Sequence, residues 1–353
     1  MNNHFFKRIF FPLAIIMGVL LPLSPANADE WSKNIPVDVS IDLIHPGSVP
    51  VWKDKDMDFS GKLPTGGNAE ANLGFVCNSK SDTTFGACTT RLTSWGVLGQ
   101  GSNVLLRFTN IKTRAIQDLT VTGHWRTGCG NGGNGFTGVV GACSWGGIAF
   151  FANLPETELR KLPYGGVWNA QMRLKTMSWR GNVKIGEVVT YIRLNVRSEA
   201  SISIPNSTVK LPVTITGHSD PVFVDTCLFD GTGSGEYSRY ELRLDDLSGG
   251  GKGNMFALKN VTKPDAHPLY YTVSAGPPGT RGNKTVWTPG VSKVFSGMDK
   301  VPTTGTVTIR GKTVPCVQWP LALKLQPFNP VRQAMGQYQG QINLVFTPSL
   351  NMP

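Results

Sequence analysis

Apolar and polar residues alternate with period two along most of this chain, and that restricts it to strands. Val37, Val39, Ile41 and Leu43 show the pattern, as do Val104, Leu106 and Phe108. It returns in Tyr191-Ile192-Arg193-Leu194-Asn195-Val196, in Val209, Leu211, Val213 and Ile215, in Leu321, Leu323 and Leu325, and in Tyr338, Gly340, Ile342, Leu344 and Phe346. An apolar side chain at every second position turns one face of a half-buried strand to a core. Turns separate these runs at short spacing, supplied by 41 glycines and 24 prolines in 353 residues. Such spacing predicts β-sandwiches rather than βαβ units. One stretch reads as helix, residues 155–161, with Pro155 in the first turn, acids early and bases late. The length suits two domains. Ile204-Pro205-Asn206-Ser207 lies between two strand patterns, so the expected division is 29–204 and 205–353.

The N-terminus sets the compartment. Lys7 and Arg8 precede an apolar run over residues 9–23, short for a membrane span. Pro22, Pro25 and the small-x-small sequence Ala26-Asn27-Ala28 follow. This is the pattern of a signal peptide over residues 1–28, cleaved before Asp29. Cleavage removes two bases and no acid, leaving 32 basic against 23 acidic residues, a net charge of +9 instead of +11. No run of five basic residues exists, which argues against nucleic acid as a partner. The modest positive balance is compatible with an anionic glycan surface.

Export places the six cysteines in oxidising surroundings. Cys77 and Cys88 are 11 positions apart and Cys129 and Cys143 are 14 apart, so each pair is most simply a local staple. The Gly-rich loop after Cys129 is costly to order, and closing it is worth about 3 kcal/mol in the loop-entropy account. Cys227 and Cys316 remain, 89 positions apart; six cysteines allow 15 pairings, so spacing alone leaves this one open. No Cys-x-x-Cys or Cys/His cluster suggests a metal, and none is expected.

Catalytic constellations are not legible. The histidines outside the signal, His45, His124, His218 and His267, lie in no His-Glu-x-x-His, and no Gly-x-Ser-x-Gly is present. Ser248-Gly249-Gly250-Gly251-Lys252-Gly253 has Gly where a phosphate loop needs Ser or Thr, and reads as a turn. Asp54-Lys55-Asp56-Met57-Asp58 lacks the Gly and terminal Glu of a calcium loop. Asp245-Asp246 and His218-Ser219-Asp220 read as turn chemistry. Neither enzyme activity nor a cofactor is expected, although a secreted carbohydrate-active enzyme on β-sandwiches is an alternative, because two carboxylates can converge from anywhere in a chain.

Binding chemistry gathers between residues 172 and 197. Arg173, Lys175, Arg180, Lys184, Arg193 and Arg197 occur within 25 positions, countered only by Glu187 and nearby Glu199. Trp179 beside Arg180 at a turn suits stacking on a sugar face. Trp168 is instead expected in a core.

Four segments carry a family resemblance. Leu162-Pro163-Tyr164-Gly165-Gly166-Val167-Trp168-Asn169-Ala170 resembles a segment of CfaE/CblD-type tip adhesins, the minor subunits of class 5, alternate chaperone–usher fimbriae. Phe75-Val76-Cys77 with Gly86-Ala87-Cys88 is similar to that family's first disulfide loop. Cys227-Leu228-Phe229-Asp230-Gly231 resembles its Cys-x-aromatic-Asp-Gly. Gly336-Gln337-Tyr338-Gln339-Gly340-Gln341-Ile342, running into Phe346-Thr347-Pro348-Ser349, is similar to its C-terminal pattern. Two departures stand out: Val317-Gln318 separate Cys316 from Trp319-Pro320, and Asn72 stands where some members place an arginine.

The resemblance implies two immunoglobulin-like sandwiches, an N-terminal adhesin domain and a C-terminal pilin domain lacking its last strand. It further implies a periplasmic chaperone, an outer-membrane usher, a major pilin that donates the missing strand, and a place at the fimbrial tip on the cell surface. Receptor contact, to a host glycan or glycoprotein, is expected through Arg180, Lys184, Arg173 and Trp179. Val213, Ile215, Ile342, Leu344 and Phe346 are expected to wall the donor groove. A structural minor pilin without receptor binding is a further alternative. Residues 29–33 leave little chain ahead of the first strand, as expected of a tip protein with none in front, and Pro348 and Pro353 argue against another full strand at the end.

Non-reducing peptide mapping of the exported protein is expected to give Cys77–Cys88, Cys129–Cys143 and Cys227–Cys316; a Cys129–Cys227 peptide would contradict this framework.

Overall fold

The computed structural model describes residues 31–349, apart from 54–55, 90–100, 139–145, 179–182, 214–218, 233–236 and 310. The expected strands form two β-sandwich domains of immunoglobulin-like character. In the first domain ten strands form one continuous sheet, in the order Lys33–Asp42, Val183–Arg197, Gly166–Ser178, Val104–Asn110, Ile116–Thr127, Ile148–Leu154, Val49–Trp52. Asp58–Phe59, Leu73–Cys77 and Gly132–Asn134 pair off this path. Val104–Asn110 makes the corner: it pairs along its length with Ile116–Thr127, but meets Gly166–Ser178 only at Thr109 and Asn110. The sheet folds back there into two layers. Between them lie Trp52, Phe75, Phe136 and Phe150, with ring centroids 4.6–5.6 Å apart. Trp52 Nε1 donates across the core to Thr190 Oγ1 at 2.9 Å, so the indole is buried with its donor paired.

Strand Lys33–Asp42 runs parallel to Val183–Arg197, with Pro36 opposite Tyr191 and Asp38 opposite Arg193. Its apolar residues face in and its polar ones out, as the alternation predicts. The short helix is present as Glu156–Leu159, after Pro155. A second short helix, Ala69–Asn72, gave no periodic signal in the sequence.

Residues 201–203 already belong to the second domain's ladders, pairing antiparallel with Cys227–Phe229. That small sheet continues through Lys312–Gln318 and Gly305–Ile309. A larger sheet holds Val222–Val224, Leu321–Leu325, Leu269–Ala275, Phe256–Asn260 and Tyr338–Gln339. A third orders Lys293–Ser296, Arg239–Asp246 and Ile342–Ser349. Trp287, Trp319, Tyr240, Phe256 and Tyr271 fill the core between them. Burial, with the Asp230 carboxylate beside it, pushes the Tyr240 phenol far above its ordinary range.

Two strand expectations are corrected. The terminal alternation from Tyr338 to Phe346 is not one strand: it breaks at Gly340, and Tyr338–Gln339 pairs with Phe256–Asn260 whereas Ile342–Ser349 pairs with Arg239–Asp246. A Cβ at Gly340 would lie 2.6 Å from the Ala257 carbonyl oxygen, so glycine is what lets the chain pass between sheets. The second strand then continues through Pro348, tolerated because the strand is an edge. Residues 209–213 join no ladder, although the alternation predicts a strand there.

The domains meet where two of the recognised segments touch. Gly165 N–H donates to the Gly231 carbonyl at 2.9 Å, and Ser198 Oγ donates to the same oxygen. Tyr164 and Phe229 face each other at 6.5 Å. Gly231 has φ +93°, and a Cβ on it would sit 2.3 Å from the Ser198 carbonyl oxygen. Behind this contact Trp168 is fully buried, its Nε1 donating to the Tyr164 carbonyl at 3.2 Å. Trp168→Ala is expected to destabilise the first domain by about 3–5 kcal/mol in denaturant unfolding. Gly231→Ala is expected to lower the melting temperature through the junction while leaving the Cys77–Cys88 and Cys227–Cys316 disulfides formed.

Candidate functional site

The structure offers two places where binding chemistry collects: the hairpin of the first domain and an open strand edge of the second. The hairpin is built from Gly166–Ser178 and Val183–Arg197, its long arms paired through thirteen positions with a bulge near Lys184 and Gly186. Its tip, which carries Trp179 and Arg180, lies outside the described residues. Leu73–Cys77 pairs alongside, with Leu73 opposite Ser178. Asn72 therefore ends its helix next to the hairpin tip, with its amide donating to the Asn68 carbonyl at 3.0 Å.

The bases of the hairpin are less free than their count in the sequence suggests. Arg173 reaches Glu187 with both Nε and Nη2, at 3.1 and 3.3 Å, and its guanidinium lies 5.5 Å from the Phe85 ring centroid. Lys184 Nζ stands 3.8 Å from the same carboxylate. Arg173 and Lys184 thus meet at a shared acid. Lower on the sheet Arg193 stands 3.9 Å from Asp38, and Arg197 is in register with Asp42. Both acids come from the parallel strand, 155 positions earlier in each case, which the local sequence window could not show.

The second place is strand Ile342–Ser349. It is hydrogen-bonded to Arg239–Asp246 on one side, and among the described residues no strand pairs with its other edge. Ile342, Leu344 and Phe346 pack half-buried against the second core, Phe346 at 4.9 Å from Tyr240. Facing residues of the other expected wall separate: Val209 and Leu211 pack on that core, whereas Val213 is 53% exposed. Ile215 lies outside the described residues.

The cysteines pair as Cys77–Cys88 and Cys227–Cys316, with Cα separations of 5.7 and 5.6 Å. Cys129 is disulfide-bonded too; Cys143 lies outside the described residues. The Asp246 carboxylate accepts the Ser248 and Ala257 backbone N–H groups at 2.9 and 3.1 Å. Asp246 thus ends strand Arg239–Asp246 with one oxygen on the turn that follows and the other on strand Phe256–Asn260. Among the described residues no group of three His, Cys, Asp or Glu side chains could hold a metal ion. At the domain junction a cavity of about 230 Å³ is lined by Leu162, Phe229, Ile309 and Lys312, among others. Burial, then the nearby Lys161 charge, holds the Lys312 pKa below its ordinary value.

Comparison with known proteins adds the family. The model of the first domain of CfaE, a CFA/I fimbrial protein, matches residues 22–199, and the model of the CfaE second domain matches residues 191–350. The curated CfaE of the CFA/I fimbria of Escherichia coli is 27% identical over 297 residues, covering 78% of this chain and 80% of that protein. The crystal structure of CfaE, described as the adhesive subunit of CFA/I fimbria of enterotoxigenic Escherichia coli, superposes with a TM-score of 0.61 at 22% identity, covering 91% of this chain and 94% of its own. A chaperone–tip adhesin complex of CFA/I fimbriae biogenesis superposes with a TM-score of 0.60 at 24% identity, covering 91% and 97%.

Proposed function

This chain belongs to the CfaE family of CFA/I fimbrial proteins across both of its domains, and from that premise we propose that it is the adhesive tip subunit of a chaperone–usher fimbria and the starter of its assembly. The observation that carries the assembly half is the free edge of Ile342–Ser349, with an apolar face only half covered. An open edge beside exposed core is an aggregation hazard. An added strand relieves it: its backbone completes the ladder and its alternate side chains fill the gap between Ile342, Leu344 and Phe346 on one wall and Val209 and Leu211 on the other. Each such side chain contributes about 1.5–3 kcal/mol when buried. Several together are comparable with a domain's whole stability of roughly 5–15 kcal/mol. A periplasmic chaperone supplies this strand first. At the usher the N-terminal extension of the major pilin replaces it, leaving this chain at the tip on the cell surface.

Adhesion belongs to the first domain. In sequence Trp179 and Arg180 join the two hairpin strands, and Lys184 and Arg173 flank the Glu187 carboxylate on those strands. A planar guanidinium forks onto carboxylate or sulfate, and a neighbouring indole covers an apolar sugar face. The receptor is thus a host glycan or glycoprotein. The role is binding rather than turnover.

Combined Arg180→Ala, Lys184→Ala and Arg173→Ala should reduce cell adherence severalfold at an unchanged melting temperature; unchanged adherence would remove this site. Leu344→Glu should abolish co-purification with the cognate chaperone, and retained capture would overturn the groove.

A further inference from the structure

We propose that the outer face of the first domain's edge, centred on Tyr191, is a second glycan-docking surface, built for a neutral, extended saccharide. Three strands present it in register. Pro36, Tyr191 and Gln171 stand in one row; Asp38, Arg193 and Asn169 in the next; Ser40, Asn195 and Val167 beyond. Alternation turns these residues outward while Ile35, Val37, Ile192 and Leu194 face in. Rows lie about 7 Å apart along a strand and columns about 5 Å apart across the ladder.

The chemistry of the grid favours sugar. Tyr191 is 51% exposed, and among the described residues no group hydrogen-bonds its hydroxyl. It offers a flat aromatic face that no neighbouring ring covers. Around it Gln171 and Asn169 carry amides that no described group engages. Asp38, Asn195 and Arg193 are already arranged by contact: Asn195 Nδ2 donates to Asp38 Oδ1 at 2.6 Å, and Arg193 Nε donates to Asn195 Oδ1 at 3.4 Å. A stacking ring surrounded by pre-set planar donors and acceptors suits hydroxyl recognition, with little ordering left to do on binding.

Charge decides among occupants. Asp38 offsets Arg193, and Asp42 stands opposite Arg197, so the rows from Tyr191 to Arg197 balance in charge. Nucleic acid and anionic membrane both demand a positive excess. A protein partner would need a water-excluding apolar centre, and a single tyrosine among amides does not make one. Flatness argues for an extended chain, since small ligands need concave pockets. Along the strands this surface is offset from the Glu187 carboxylate that holds Arg173 and Lys184.

The test uses the mature full-length chain, purified from periplasm with any chaperone it carries, on a printed array of neutral oligosaccharides and their sialylated and sulfated counterparts. Tyr191→Ala should lower binding to neutral glycans about ten-fold without shifting the melting temperature. Tyr191→Phe should retain most of it, because the ring survives, and Asn169→Ala with Gln171→Ala should weaken it. Arg180→Ala should leave neutral-glycan binding intact while reducing acidic-glycan binding, which separates this face from the hairpin. The proposal is overturned if the unmodified chain binds no neutral glycan, if Tyr191→Ala binds as the parent does, or if Tyr191→Ala changes only self-association.

Discussion

Strand Ile342–Ser349 has a neighbour on one side only among the described residues, and in the proposed function that unpaired edge governs how the second domain folds. Backbone donors and acceptors beside a core must find partners. Arg239–Asp246 satisfies one row, and Tyr240, fully buried, packs on Phe346 from the same side. The other row and the apolar faces of Ile342 and Leu344 have no described strand to meet. In the proposed account a partner strand completes the domain, so assembly and folding become one process. The free edge then acts as a recognition element, in which pocket spacing sets the register of the incoming strand.

The first domain is one folded sheet whose strand path ends at Lys33–Asp42 and Val49–Trp52. Its corner at Thr109 and Asn110 folds one sheet onto itself, and the cluster around Trp52 and Phe75 fills the space. Two of the segments that carry the family resemblance meet at the junction. The Gly165–Gly231 contact brings the Leu-Pro-Tyr-Gly-Gly segment against the Cys-Leu-Phe-Asp-Gly segment, with backbone so close that a side chain at either glycine meets a carbonyl oxygen. The glycines permit the approach, and the aromatics Tyr164, Trp168 and Phe229 pack around it.

Much of this was legible in the sequence because alternation reports burial directly. The Val37 and Tyr191 patterns name their inward faces correctly, and Trp168 is in the core. What alternation omits is which strand lies beside which. In a linear window only Glu187 and nearby Glu199 oppose the bases of residues 173–197, yet the parallel strand Lys33–Asp42 sets Asp38 against Arg193 and Asp42 opposite Arg197. The same blindness hid the break at Gly340, where the period of two runs unbroken although the chain changes sheets. Val209 to Val213 alternate like a strand but join no ladder, since a pattern records readiness to pair and not the presence of a partner. At the candidate hairpin the sequence identified the residue types, while the engagement of Arg173 and Lys184 by Glu187 required the fold.

The most direct test of the account is the melting temperature of the mature chain with and without a supplied strand. A flexible linker and the N-terminal extension of the partner major pilin, fused after Pro353, should convert an unstable or aggregating chain into a soluble monomer. Its melting temperature should rise by on the order of 10–20 °C for the several buried side chains gained. An unfused chain that is already a stable monomer, with no gain from the fused strand, would contradict the account.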